Sequence, residues 1–324
     1  MKIGFIGLGN VGGKLAGSLV RNGFDTLVHD LDDAAVDKLV EKGALRADSP
    51  AQMAEKADVM ITCLPSPAIC AAVVEGDTGL MEGFSPGKIW LEMSTTDTAE
   101  VARLSERLAE IGVSSMDCPV SGGCHRAATG NISIFAGGDR ATFEKVLPIL
   151  TRLGRRVLHT GPLGSASTLK VMTNYLATAN LLTLCEALTV MKGAGLDLAT
   201  TYEAIRISSG TSFVHETESQ VILNGSRCVD FTIDLVLKDI GLFQELADRA
   251  GINLEISPLL IDLMKDGQER FGPRGQSDRM IERFEDQTGL AIRADGFPAE
   301  LTDDEPEEQG YEVRPPQMGT LGTA

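Results

Sequence analysis

The sequence predicts an α/β N-terminal domain on a mostly parallel sheet, followed by an all-α C-terminal domain joined to it by a long interdomain helix. Three observations carry this. Residues 2 to 160 alternate short apolar runs with amphipathic segments, an uninterrupted pattern without proline runs from about Ser167 to Ala194, and helical patterns follow it.

KIGFIG, TLVHD, DVMITCLP and KIWLEMS read as strands, and VGGKLAGSLVRNG and DDAAVDKLVEKG read as helices between them. That alternation predicts βαβ units, whose connections make neighbouring strands parallel. The pattern from Ser167 ends at Gly193 and Gly195, and its apolar residues are spread round the helix, so it is buried on more than one side. Further helices are predicted around 198–208, 213–223, 232–250 and 256–268. The expected division is a nucleotide-type domain over 1–163, a helical substrate and oligomerisation domain over 164–294, and a flexible acidic tail over 295–324. The tail holds Asp295, Glu300, Asp303, Asp304, Glu305, Glu307, Glu308 and Glu312 with no Lys or Arg through residue 312, and has few apolar groups to bury.

Composition excludes several classes of function. A net charge of −17 disfavours nucleic acid and anionic membranes as partners, since both attract basic surfaces. No apolar run approaches the roughly 18 residues that span a bilayer, and glycines interrupt the N-terminal run where a signal peptide needs continuity, so a cytoplasmic protein is expected. Six cysteines show no CxxC pair and no histidine at ligand spacing, so neither a zinc site nor a disulfide framework is expected, and no metal is assigned.

Gly7-Leu8-Gly9-Asn10-Val11-Gly12 is G-x-G-x-x-G directly after the strand Ile3 to Ile6 and at the mouth of a helix. The first glycine permits the tight turn, the second lets a pyrophosphate approach the backbone, and the third lets helix and strand pack closely. This is the cradle of a Rossmann-type domain. Asp30 ends the second strand, twenty-three residues after Gly7, where a carboxylate takes ribose hydroxyls and repels a 2′-phosphate. NAD is favoured over NADP. Asp30 would instead cap the next helix in the alternative reading, a role Asp32 and Asp33 fill equally well.

Ser121-Gly122-Gly123, after a short strand, offers a hydroxyl and backbone N–H groups that suit a carboxylate, although alone it is equally a plain turn. Lys170 is the one charge between Leu169 and Leu182, and Asn174 shares its face four residues on. Either this lysine snorkels to solvent from the helix start, or burial lowers its pKa and it exchanges a proton with an alcohol or carbonyl during hydride transfer.

GLGNVG at 7–12, CLP at 63–65, EMST at 92–95, DCPVSGG at 117–123, GPLGSASTLKVMTNYL at 161–176 and KDIGL at 238–242 together resemble the β-hydroxyacid dehydrogenase family, over about residues 2 to 290. That family includes 3-hydroxyisobutyrate dehydrogenase and the tartronate semialdehyde and sulfolactaldehyde reductases. The resemblance implies NAD-linked oxidation of a short β-hydroxyacid, with Lys170 as acid/base and with Asn174 and Ser121 beside it holding the substrate carboxylate and hydroxyl. It also implies that Ser121, Gly122 and Gly123 hold the substrate, that Lys238 lies near substrate and cofactor, and that Leu64, Pro65 and Thr95 line the cofactor site. A homodimer or homotetramer is implied as well.

The chain departs from the family pattern at Cys124-His125-Arg126 and at Phe213, where 3-hydroxyisobutyrate dehydrogenases resemble one another in having Trp. Phe213 is therefore read as substrate-facing, and Arg126 or His215 as a contact for a second polar or anionic group. The bland reading makes them an exposed arginine and a capping histidine. Reduction of a related aldehyde acid is the alternative function, imine reduction and non-catalytic NAD binding being the others. The intact Lys170 weighs against imine reduction, and Lys170, Asn174 and Ser121, all present, weigh against non-catalytic binding.

Overall fold

The computed structural model describes residues 1–315, so the end of the expected tail, 316–324, lies outside the described residues. The elements run β1 (Ile3–Ile6), α1 (Gly12–Arg21), β2 (Thr26–His29), α2 (Asp33–Val40), β3 (Leu45–Arg46), α3 (Pro50–Lys56), β4 (Val59–Thr62), α4 (Pro67–Glu75), α5 (Leu80–Gly83), β5 (Ile89–Glu92) and α6 (Thr98–Glu110). There follow β6 (Ser114–Asp117), β7 (Val120–Ser121), α7 (Gly123–Thr129), β8 (Ser133–Gly137), α8 (Arg140–Leu153), β9 (Arg156–Gly161) and α9 (Ser165–Gly193). Then come α10 (Leu198–Arg206), α11 (Phe213–Asn224), α12 (Ile233–Arg249), α13 (Ile256–Phe271), a 3-10 turn (Ser277–Ile281), α14 (Glu282–Thr288) and β10 (Tyr311–Val313). The chain divides into two compact units, Met1–Ser167 with the segment from Glu305, and Thr168–Asp304.

In the first unit β1 lies between β2 and β4 and is parallel to both. The sheet order is β10-β9-β8-β6-β5-β4-β1-β2-β3, with β7 paired to β8. The chain builds outward from β1 through β3, then returns to β4 on the other side of β1. Such a switch leaves a crevice beyond the carboxyl ends of the two strands, where open α/β sheets bind ligands. β8 runs antiparallel to β6 and β7 and parallel to β9. Both faces of the sheet are covered. Ile3, Phe5, Val59, Ile61, Ile89 and Leu91 join one apolar cluster, while their strand neighbours Ile6, Met60 and Trp90 join another. This two-sided burial explains why the strands read as continuous apolar runs.

The described part of the acidic segment is not the loose tail that composition suggests. Tyr311–Val313 pairs in parallel with β9, and the segment's carboxylates meet arginines spread over the first unit. Glu307 pairs with Arg21, Glu308 with Arg155 and Glu312 with Arg140. A run that repels itself in isolation is held by cations more than 150 residues away in sequence.

In the second unit, Leu181, Cys185 and Leu188 of α9 pack with Val214, Ile222, Ile240, Leu260 and Met264 in one core. Asp197 caps α10 through Thr200 N and Ser212 caps α11 through His215 N, so each helix begins where a short polar side chain takes an orphan N–H. No helix among the described residues is long and apolar enough to cross a membrane. Also among the described residues, no group of three or more His, Cys, Asp or Glu could hold a metal ion.

Candidate active site

The three motif glycines do different work. Gly7 has φ +94°, and a Cβ there would fall 2.2 Å from the Cys63 carbonyl oxygen, so the turn after β1 excludes any other residue. A Cβ on Gly12 would fall 2.0 Å from the Gly7 oxygen, whereas one on Gly9 meets nothing within 4 Å. Gly9 therefore leaves its backbone open to a ligand. No side chain caps α1 at Val11; Gly13 N and Lys14 N donate to the Gly9 and Val11 oxygens, so an anion would be met by the backbone N–H groups ahead of them.

Asp30 closes this turn from β2. Its carboxylate accepts from Leu8 N at 2.6 Å and from Asp32 N at 2.9 Å. The cap of α2 is Asp32, which accepts from Ala34 N, so Asp30 is not the helix cap and its place at the end of β2 is the one a ribose requires. Leu64 and Pro65 follow β4, and Thr95 lies just beyond β5. Leu64 N donates to Ser94 Oγ at 2.7 Å, and Leu64 Cδ2 lies near the position a Gly7 Cβ would take. The candidate cofactor residues Gly7, Leu8, Gly9, Asn10, Val11, Gly12, Asp30, Leu64, Pro65 and Thr95 thus all follow the carboxyl ends of β1, β2, β4 and β5.

Beneath them lies a buried carboxylate that sequence reasoning passed over. Glu92 accepts from Ser94 N at 2.7 Å and from Thr62 Oγ1 at 2.5 Å, and Thr62 accepts from Trp90 Nε1 at 2.9 Å. Burial pushes its pKa up. The network ties the ends of β4 and β5 together under the Leu64 loop.

Ser121 sits in β7, paired with Ser133. Gly122 has φ +133° and Gly123 φ +82°, backbone that only glycine adopts readily. Asp117, fully buried at the end of β6, accepts from Gly164 N at 2.8 Å and Ser167 N at 2.7 Å. It holds the first turn of α9, although burial pushes its pKa up.

The second unit contains the lysine. Lys170 is 7% exposed, so it does not snorkel to solvent. Its Nζ donates to Asn174 Oδ1 at 2.7 Å, Asn174 Nδ2 donates to Asp239 Oδ2 at 2.5 Å, and Lys238 Nζ lies 2.9 Å from Asp239 Oδ1. Burial, opposed by Asp239 and aided by Lys238, lowers the Lys170 pKa to about 8. An amine in this state exchanges its proton near neutral pH while Asn174 fixes its direction.

Asp239 was not singled out from sequence, although Lys238-Asp239 inside an apolar helical pattern was the available signal. Phe213, 45% exposed, opens α11. His215 does not face a ligand. It is 1% exposed, with Nε2 at 2.9 Å from the Tyr202 oxygen and Nδ1 at 2.9 Å from Ser219 Oγ. Both ring nitrogens are used inside the unit, which removes it as a substrate contact and as a cap. Arg126 Nη2 lies 3.3 Å from Glu305 Oε1.

The chain is similar to known dehydrogenases over most of its length. Residues 2–161 match the NAD binding domain of 6-phosphogluconate dehydrogenase. Residues 164–284 match the NAD-binding domain of NADP-dependent 3-hydroxyisobutyrate dehydrogenase. The chain is 30% identical over 293 residues to 2-(hydroxymethyl)glutarate dehydrogenase of Eubacterium barkeri, covering 90% of this chain and 97% of that one. It is 32% identical over 271 residues to NAD-dependent L-serine dehydrogenase of Pseudomonas aeruginosa, covering 82% and 91%. The crystal structure of 3-hydroxyisobutyrate dehydrogenase from Salmonella typhimurium superposes with a TM-score of 0.80 at 25% identity, covering 87% and 99%.

Proposed function

The chain belongs to the β-hydroxyacid dehydrogenase family, whose members use NAD or NADP to act on CH–OH donors, and we propose that its substrate is a short acid of the 3-hydroxyisobutyrate kind, with the hydroxyl β to a carboxylate or sulfonate. The observation that carries this reading is a buried lysine, its pKa lowered to about 8, hydrogen-bonded to Asn174. The names of two relatives support the substrate class: 2-(hydroxymethyl)glutarate and L-serine both carry a hydroxymethyl group on the carbon next to a carboxylate.

NAD supplies or accepts the hydride at its nicotinamide. In oxidation, neutral Lys170 takes the hydroxyl proton of the acid; in reduction, its ammonium form hydrogen-bonds the carbonyl oxygen and then gives up a proton to it. Asn174 keeps the amine aimed, and Asp239 with Lys238 sets its charge. Ser121 and the N–H groups of Gly122 and Gly123 hold the carboxylate. The Gly7–Gly12 backbone receives the pyrophosphate, which the open space over Gly9 suits, Asp30 takes the ribose hydroxyls, and Leu64, Pro65, Thr95 and Lys238 flank the cofactor. Phe213 contributes to substrate selection. A cytoplasmic location is part of the same reading, as is a homodimer or homotetramer, which the exposed Val190, Ile252, Ile256 and Leu259 of the second unit support and light scattering tests.

A screen of the purified protein tests the proposal. With NAD and separately NADP, absorbance of the reduced nicotinamide is followed for 3-hydroxyisobutyrate, glycerate, 2-(hydroxymethyl)glutarate, 3-hydroxypropionate and 2,3-dihydroxypropane-1-sulfonate. One strong NAD-linked turnover supports it; silence across the panel with NAD bound contradicts the substrate class.

A further inference from the structure

Two basic side chains flank the Ser121-Gly122-Gly123 loop from α7. A Cβ built on Gly122 would lie 3.3 Å from Cδ of Arg126, and one on Gly123 would lie 2.9 Å from Cε1 of His125. The stem of Arg126 therefore rests on the loop itself. Its guanidinium points to the C-terminal segment, where Nη2 is 3.3 Å from Glu305 Oε1. Glu305 is in turn held in place, because its backbone oxygen accepts from Asn131 Nδ2 at 2.8 Å. Beyond it, Glu307 pairs with Arg21 and β10 joins the sheet.

We propose that Glu305 is a specificity-determining residue: carried by the C-terminal segment to the guanidinium of Arg126, whose stem rests on Gly122, it biases the loop towards acids with one anionic group. The inference rests on the reading of Ser121 to Gly123 as the carboxylate loop. A guanidinium fork takes a carboxylate with high affinity, and here one is already supplied by the chain. A second anionic group on the substrate meets a partnered arginine and a like charge. The two side chains are 23% and 45% exposed, so water screens the pair and its effect is a graded preference rather than a block.

The test uses the full chain with Glu305→Gln, Glu307→Gln, and Glu305→Gln combined with Arg126→Met. Two readouts are compared: kcat/KM with NAD for 3-hydroxypropionate against 2-(hydroxymethyl)glutarate, and the Kd of propionate against glutarate for the NADH complex, read by nucleotide fluorescence. Glu305→Gln should raise the preference for the dianion about fivefold or more in both readouts. Glu307→Gln, which loosens the same segment away from the loop, should leave it within about twofold, and adding Arg126→Met should remove the gain. An unshifted preference overturns the proposal, as does an equal shift in Glu307→Gln or a gain that survives Arg126→Met. Failure of both propionate and glutarate to bind any of the chains overturns the loop reading and the proposal together; bound anions with unshifted preference overturn the proposal alone.

Discussion

Asn174 links Lys170 to Asp239, accepting from the amine at 2.7 Å with one end of its amide and donating to the carboxylate at 2.5 Å with the other. The amide cannot be reversed without facing two donors or two acceptors, so the pair fixes its orientation and thereby the direction of the amine. Lys170 is held by a neutral acceptor, while the charge that stabilises its ammonium form stands one side chain further off.

The pH dependence follows from that arrangement. With Lys170 titrating at about 8, oxidation needs the neutral amine, so kcat/KM for the acid should rise through about pH 8 and level above it. Reduction needs the ammonium form and should fall over the same range. Asp239 raises the pKa and Lys238 lowers it; Asp239→Asn should move both profiles to lower pH and Lys238→Met to higher pH. Profiles unmoved by either change would contradict the coupling.

Burying the amine costs stability. The folded pKa of about 8 lies below the ordinary 10.5, so between those values the unfolded chain binds more protons and stability rises with pH. At pH 7 the cost is about 3 kcal/mol by the usual conversion. Lys170→Met should therefore be more stable than the parent by about 2 kcal/mol at pH 7, allowing about 1 for the unpaired Asn174 oxygen. That advantage should shrink towards pH 10. Denaturant unfolding at the two pH values checks it, and an advantage that grows with pH would contradict the assignment.

The cradle glycines separate binding from folding. Gly9→Ala adds a methyl group to open space, so it should leave thermal stability nearly unchanged and weaken NAD binding tenfold or more. Gly12→Ala drives a methyl into the Gly7 carbonyl and should destabilise by on the order of 2 kcal/mol. Calorimetry of folding and of NAD binding on both variants distinguishes the roles; equal loss of stability in both would refute the open approach at Gly9.

On the proposed reading, Asp30 at the end of β2 selects the cofactor. Leu31 is 98% exposed immediately after Asp30, so Leu31→Arg supplies a cation without disturbing the core, and Asp30→Ser removes the repelling carboxylate while keeping a hydroxyl at the place where Asp30 accepts from Leu8 N and Asp32 N. The ratio of kcat/KM for NADP over NAD should rise at least a hundredfold. An unchanged ratio would remove Asp30 from nucleotide selection.

The parts of this protein that were legible in its sequence depend on local rules. Gly7 and Gly12 are readable because the tight turn and the close packing of helix on strand leave no room for a side chain, Gly9 is readable only as part of their spacing, and the sheet is readable because both its faces are buried. Lys170 stands out as a lone charge among apolar neighbours. Asp239 does not, since its meaning lies in facing Asn174 across two helices. His215 misled for the same reason: the Tyr202 carbonyl and Ser219 that satisfy it are not visible as partners in the sequence. The acidic segment reads as disorder by composition, because Arg21, Arg126, Arg140 and Arg155, which neutralise it, are scattered through the first unit.

The most direct test of the account is the turnover of Lys170→Met against the parent enzyme, with the best acid from the panel and NAD, alongside NAD affinity measured by calorimetry. Acid/base catalysis by this amine predicts NAD affinity within about twofold of the parent and a loss in kcat of about a thousandfold, near the upper part of the range for such groups. Turnover equal to the parent's would contradict it.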